Sequence, residues 1–200
     1  MIGGIQMKIG IDIDGVLNNM HEFIIEYGTK LCNELGKYKL ENINAQYSTE
    51  IFLWSDEVAH KLWDKFGYEL YVRSSPRTFA SEVIKKLKKD NNEIYIITAR
   101  HNNDDWFPPE LRQNVEDITI KWLNENEVIY DKICFTSNDK AKVCQELGID
   151  IMIEDTPENI DMLLDVTNVF IFDTPYNRFD KYKDVTRVCS WYDVYNKLIL

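Results

Sequence analysis

The chain reads as an α/β protein, a parallel sheet covered by helices on both faces, with a helical segment inserted after the first strand. Three observations lead there. From about residue 79 onward, short apolar runs alternate with amphipathic segments of helix length. A mainly helical stretch, about residues 18–75, separates the first apolar run from the others. Four successive apolar runs end in polar or charged residues, as strands do when their carboxyl ends build a site.

In chain order, residues 8–13 form the first strand, with Ile9, Ile11 and Ile13 at alternate positions. Met20, Phe23, Ile24, Tyr27, Leu31 and Leu35 follow at three- and four-residue spacings, and Gly36 is placed to end that helix. A second helical block carries Val58, Leu62, Trp63 and Phe66. Ser55 suits its cap, Asp56 and Glu57 its first turn, and Gly67 its close. Ser74-Ser75-Pro76 reads as a turn-like junction. Helix 79–89, strand 94–98 and a long polar loop come next. A helix opened by Pro108-Pro109 then carries Leu111, Val115, Ile118 and Trp122. Strand 132–136 precedes helix 139–147, which Gly148 stops, and strand 149–153 precedes a short helix with Thr156 as cap and Pro157 at its first position. Strand 169–172 and an amphipathic segment 191–200 complete the pattern.

The composition sets limits. Two hundred residues, 44% hydrophobic and 28% charged, suit one soluble domain or one domain with an insertion. A net charge of −11 argues against nucleic acid or an anionic membrane surface as the main partner. No apolar run is long enough to span a bilayer. Cys32, Cys134, Cys144 and Cys189 show no C-x-x-C spacing, so reduced thiols in a cytoplasmic protein are expected. Residues 1–6 lack the layout of a signal peptide and read as a loose leader before Met7.

The chemistry centres on Asp12-Ile13-Asp14-Gly15. Residues two apart on a strand share a face, so both carboxylates point the same way, where they can ligate Mg²⁺ or divide the roles of nucleophile and general acid. An acidic turn after a buried strand is the plain alternative; an EF-hand loop is excluded because its third ligand and distal Glu are missing. Thr98-Ala99-Arg100 ends the second strand, Thr136-Ser137-Asn138-Asp139-Lys140 follows the third, and Glu154-Asp155 ends the fourth. Lys140 stands out, because a cation in the first turn of a helix opposes the helix dipole. Lys142 projects from nearly the opposite side and reads as a solvated surface lysine.

Together these residues resemble the haloacid dehalogenase superfamily of phosphohydrolases. Asp12-Ile13-Asp14-Gly15-Val16 is similar to its first motif, Thr98 to its second, Lys140 to its third and Glu154-Asp155 to its acidic fourth. The resemblance implies a three-layer, Rossmann-like core of residues 1–17 and 76–200 with a helical cap of residues 18–75. It also implies that Asp12 attacks phosphorus to give an aspartyl-phosphate, and that Asp14 protonates the leaving alkoxide and then deprotonates water. Mg²⁺ would be held by Asp12, the backbone carbonyl of Asp14, and Asp155, with Glu154 behind them or reaching the ion through water. Thr98 and nearby backbone N–H groups would hold phosphoryl oxygens, and Lys140 would balance Asp12.

Within the superfamily the chain resembles the 5′(3′)-deoxyribonucleotidase-like branch. The shared features are the Asp-x-Asp-Gly-Val-Leu start, a short helical cap, and an acidic pair followed by Thr156-Pro157. Better-known members carry two aspartates where this chain has Glu154-Asp155, and their second motif does not read Thr-Ala-Arg. Ala99 and Arg100 are expected beside the phosphate. Most cap aromatics suit a core, while Phe52 and Trp54, between the helical blocks, are the expected base contacts. His21, His60 and His101 form no metal pair, and Tyr176-Asn177-Arg178 lies where it would border the pocket. Three functions compete: a phosphatase of nucleoside monophosphates, a phosphatase of another small metabolite such as a phosphosugar, and a non-catalytic ligand-binding protein of the same fold. A homodimer and a monomer are both open.

Overall fold

The computed structural model describes residues 6–102, 105–136 and 139–199; most of the 1–6 leader, Ser137 and Asn138 of the polar turn, and Leu200 lie outside them. β1 (Lys8–Ile11), β2 (Glu93–Thr98), β3 (Lys132–Phe135), β4 (Ile151–Glu154), β5 (Asn168–Phe172) and β6 (Arg187–Val188) form one parallel sheet. Their order is β3-β2-β1-β4-β5-β6. Ile9 therefore sits between Ile94 of β2 and Ile151 of β4. The chain winds outward from β1 to β3, then crosses back to β4. The crevice at the carboxyl ends of β1 and β4 is thus the topological switch point, where such sheets take ligands.

The strands are short, and β1, β2, β4 and β5 are almost wholly buried because both faces are covered, while the edge strand β3 is more open. On one face Ile9, Ile11, Ile94 and Ile96 pack with Val83, Ile84 and Leu87 of α4 (Ala80–Lys89) and Trp191 and Val194 of α9 (Trp191–Ile199). On the other, Tyr95, Ile97, Met152 and Val169 meet Cys144 of α7 (Lys140–Leu147) and Ile160 and Leu163 of α8 (Pro157–Leu163). Alternate strand residues serve opposite faces, as the two-residue period requires.

A separate apolar cluster forms within α1 (Met20–Leu35), α2 (Ser48–Ile51) and α3 (Asp56–Arg73), joined by Phe107, Leu111 and Val115 from the segment after β2. Gly36 ends α1 in the left-handed conformation, as its position implies. The two chain segments that connect this cluster to the sheet run side by side: Asn18 bridges Pro76, and Arg77 N–H donates to the Leu17 carbonyl.

Several expectations are corrected. Gly67 does not close its helix; α3 continues to Arg73, and the glycine serves packing, since a Cβ there would stand 3.1 Å from the Phe107 ring. The helix opened by Pro108-Pro109 is two, α5 (Pro109–Arg112) and α6 (Val115–Glu125). Asn114 draws its side chain onto the Glu110 carbonyl, taking an acceptor at the end of α5. β1 stops at Ile11, and the N–H groups of Val16, Leu17 and Asn18 all turn back to the Ile13 carbonyl. The fourth strand lies two residues later than its apolar run begins, and α2 and the two-residue β6 carry too little periodicity to read. Neither Ser55 nor Thr156 caps its helix with its side chain.

Phe52 and Trp54 are not surface aromatics. They are 1% and 5% exposed and stack on each other at 4.4 Å, and the Phe52 ring fills the space beside Gly28. Two rings adjacent to a short helix satisfy their apolar area by turning inward. The four cysteines are free, and among the described residues no helix is long and apolar enough to cross a membrane. Phe52→Ala should accordingly cost about 3–5 kcal/mol in urea unfolding, the usual toll for a buried Phe. A loss below about 1 kcal/mol would return Phe52 to the surface.

Candidate active site

Asp12 leaves the end of β1 with its N–H bonded to the Ile153 carbonyl of β4 at 3.1 Å, so the strand pairing itself fixes where its carboxylate stands. Lys140, the first residue of α7, points inward rather than to solvent. Its Nζ lies 2.9 Å from Asp12 Oδ1 and 2.7 Å from Glu154 Oε2, and the residue is only 2% exposed. This is why a cation tolerates the first turn of a helix: two carboxylates outweigh the dipole, while Asp139 caps the helix through Lys142 N–H. Lys142 itself is exposed.

Glu154 uses its other oxygen to accept the N–H groups of Asp155 and Thr156, at 3.1 and 3.0 Å, which does the capping that the Thr156 side chain does not. Asp155 accepts a hydrogen bond at Oδ2 from the Tyr176 hydroxyl, and Asn177 Nδ2 donates to its carbonyl at 2.8 Å. Its Oδ1 is buried with no hydrogen-bond partner. Carboxylate oxygens of Asp12, Glu154 and Asp155 lie within 4.8 Å of one another. Gly15 makes this closeness workable: its φ is +86°, and a Cβ would stand 1.9 Å from Asp155 Oδ2.

Asp14 is held by a different cation. Arg100 grips it with a fork, Nε to Oδ2 at 2.8 Å and Nη2 to Oδ1 at 2.5 Å, and Asn18 Nδ2 adds a bond to Oδ1 at 3.0 Å. Arg100 is 1% exposed. It is therefore packed beneath Asp14 rather than presented to a substrate, a correction to its expected place. Thr98 is buried, its Oγ1 accepting the Arg100 N–H at 3.2 Å, whereas Ala99 is exposed at the mouth.

The electrostatics follow from burial. Desolvation, then the Glu154 charge, push Asp12 up to about 7 against the pull of Lys140. Asp155 is driven well above the usual carboxylate range by burial, with Glu154 and Asp12 adding to it. Burial also presses Glu154 upward, but Lys140 and the two N–H donors outweigh it and hold Glu154 low. Asp14 is likewise held low, because the Arg100 charge and hydrogen bonds overcome its burial. Three clustered carboxylates facing one ammonium, with an orphaned Oδ1 among them, make an oxygen-rich site that suits a divalent cation.

Sequence reasoning missed Asn18 and the forked use of Arg100, and it placed Tyr176 at the pocket border without its bond to Asp155. Asn18 had a local signal, a polar residue just ahead of a helix: its Oδ1 accepts the N–H groups of Gly15 and Met20, both at 3.1 Å. His21 is buried against the Tyr176 ring, with Nε2 bonded to the Ala45 carbonyl. His101 bonds the Ala99 carbonyl, and Arg178 pairs with Asp173 on the surface. Beside the site, a cavity of about 290 Å³ is lined by Gln46, Tyr47, Trp63, Tyr71, Trp106 and Phe107. Tyr71, which lines the cavity, also packs on the Arg100 guanidinium, 3.9 Å from the ring centre.

Residues 6–200 match the family described as 5′ nucleotidase, deoxy (pyrimidine), cytosolic type C protein (NT5C). A candidate nucleotidase of Oceanobacillus iheyensis is 30% identical over 200 residues, with 96% of this chain and 100% of that protein aligned. A candidate 5′(3′)-deoxyribonucleotidase of Chlorobaculum tepidum is 24% identical, covering 95% of this chain and 89% of that one. Among solved structures, a predicted phosphatase from Clostridium acetobutylicum superposes with a TM-score of 0.67 at 14% identity, over 98% of this chain and 99% of that one. A haloacid dehalogenase-like hydrolase from Streptococcus pneumoniae gives the same score and identity over 96% and 98%. These two share the fold.

The raised carboxylates make a pH prediction. A group whose folded-state value exceeds its unfolded one binds more protons when folded, so its stabilisation is complete below the unfolded value and is lost as pH rises through the folded one. For Asp12 that window runs from 3.8 to about 7, and Asp155 acts in the same direction. Asp14 and Glu154, held low, oppose this only below their ordinary values of 3.8 and 4.5, outside the interval compared next. In EDTA the Tm should therefore be higher at about pH 5.5 than at about pH 8. A Tm that rises across that interval contradicts the assignment.

Proposed function

The chain belongs to the deoxy-5′-nucleotidase (NT5C) family, a hydrolase of the phosphatase kind, and from that premise we propose that it hydrolyses nucleoside monophosphates through an aspartyl-phosphate on Asp12. The observation that carries the reading is the buried cluster of Asp12, Glu154 and Asp155, together with an aromatic cavity whose lining residue Tyr71 also packs on the Arg100 guanidinium that holds Asp14. The cluster suits a metal-assisted phosphate and the cavity a flat, apolar base. Tyr47, Trp63, Trp106 and Phe107 replace Phe52 and Trp54 as the base contacts, and Gln46 supplies an amide for a base edge.

In this reading Asp12 attacks phosphorus and expels the nucleoside oxygen, which takes a proton from Asp14. Asp14 then removes a proton from the water that hydrolyses the aspartyl-phosphate, and phosphate departs. Lys140 orients Asp12 by its 2.9 Å contact and balances charge as the phosphoryl group approaches. Thr98 and the backbone around Ala99 hold phosphoryl oxygens. Asp12, Asp155 and the Asp14 carbonyl would hold Mg²⁺, whose charge offsets repulsion between phosphate and carboxylates. Glu154 has both oxygens engaged and serves behind these ligands. Residues 1–17 and 76–200 form the catalytic core and 18–75 its cap, and the place of action is the cytoplasm.

A panel of nucleoside monophosphates and sugar phosphates, assayed with Mg²⁺ and with EDTA, tests this directly. Nucleotide hydrolysis should require the metal and vanish in Asp12→Asn, and Asp14→Asn should slow it about 10²–10⁴-fold. Preference for sugar phosphates, or activity indifferent to EDTA, would overturn it.

A further inference from the structure

Asp14 is the least free carboxylate at the site mouth. Its Oδ1 accepts two hydrogen bonds, from Arg100 Nη2 and Asn18 Nδ2, which use both lone pairs. Oδ2 accepts one, from Arg100 Nε, and keeps the second lone pair. The Asp14 side chain is 30% exposed and that of Arg100 0%, so the open side of the pair is the aspartate. The guanidinium is itself immobilised: Tyr71 of α3 lies 3.9 Å from its carbon and Trp122 of α6 lies 5.9 Å away. Asn18 Nδ2 also donates to Ser74 Oγ, and Trp122 Nε1 donates to the Ser74 carbonyl, so the second segment entering the helical cluster holds Asn18 in place against the carboxylate.

We infer that Arg100 is a positioning residue that fixes Asp14 so that only Oδ2 exchanges a proton with the leaving oxygen. This rests on the phosphomonoesterase reading and goes beyond it, because it assigns Arg100 to the acid/base group instead of to substrate. The proton balance is closed. Arg100 keeps Asp14 ionised before substrate arrives, so Oδ2 first takes the proton that a phosphate monoanion brings and then passes it to the departing oxygen as the phosphorus–oxygen bond breaks. The carboxylate then takes a proton from the water attacking the aspartyl-phosphate and gives it up with the departing phosphate, which restores the ionised Asp14 for the next turnover. A fork matters here in a way that charge alone does not, since its two N–H donors fix both oxygens at set angles and, with the Asn18 bond on Oδ1, leave a single lone pair on Oδ2.

The test compares leaving groups within one preparation, so that any misfolded fraction cancels. The ratio kcat/KM covers steps only through departure of the leaving group. A nucleoside alkoxide needs a proton at that step and p-nitrophenolate does not. Arg100→Lys keeps the charge and removes the fork; it should reduce kcat/KM for a nucleoside monophosphate about tenfold more than for p-nitrophenyl phosphate. Arg100→Met should do so as well, and in an Asp14→Asn background either change should move the ratio less than about twofold. A merely structural arginine would lower both substrates equally, and that result overturns the inference. So does a faster nucleotide reaction in Arg100→Met, which would mean that the arginine restrains the acid rather than aims it. If Arg100→Met does not fold, Arg100→Lys decides alone. Wild-type protein inert toward both phosphates would sink the phosphomonoesterase reading and this inference with it, whereas an active wild type with an unchanged ratio sinks only the inference.

Discussion

The bridge from Lys140 to Asp12 and Glu154 is the constraint on which the site depends. Burying an ammonium costs several kcal/mol, and placing it in the first turn of a helix adds about 0.3–1 kcal/mol against the dipole. Only two close carboxylates offset that, so α7 can start where it does only because β1 and β4 end where they do. Glu154 then passes the constraint on, its second oxygen holding the first N–H groups around α8. One lysine thus ties two strands and two helices into a single arrangement. It also leaves charge unbalanced, since three carboxylates share one ammonium in a buried space. Burial, with the neighbouring carboxylates adding to it, raises Asp12 and Asp155, and the cluster suits a divalent cation.

A second set of contacts binds the helical cluster to the same chemistry. Gly15 lets the chain pass over Asp155, Arg77 Nε holds the Gly15 carbonyl at 2.9 Å, and Asn18 ties the turn to Ser74. The residues that aim Asp14 are therefore also those that join helical cluster and sheet. Tyr71 extends the link to the aromatic cavity. The fold persists in solved structures at 14% identity because the strand order and the switch point need only apolar strands and short connections.

Much of the architecture was legible locally. Strand and helix alternation, Gly36 as a terminator and the polar ends of four strands are periodic or adjacent signals, and the structure contains them all. Lys140 was legible for a different reason, because it contradicts its own helix and so had to answer to something outside it. What failed were readings of residues whose partners lie far along the chain. Gly67 looks like a helix end until Phe107 is seen against it, and Arg100 looks like a phosphate ligand until Asp14, 86 residues away, is seen in its fork.

The sequence alone therefore determined the class of fold and singled out the carboxylates and lysine that the structure brings together, since each rests on local periodicity or on charge out of place. Tertiary structure alone decided which aromatics face a cavity and which fill a core, and whether an arginine meets substrate or an aspartate. Those outcomes depend on the direction in which a side chain can be buried, and that is set by neighbours distant in the chain.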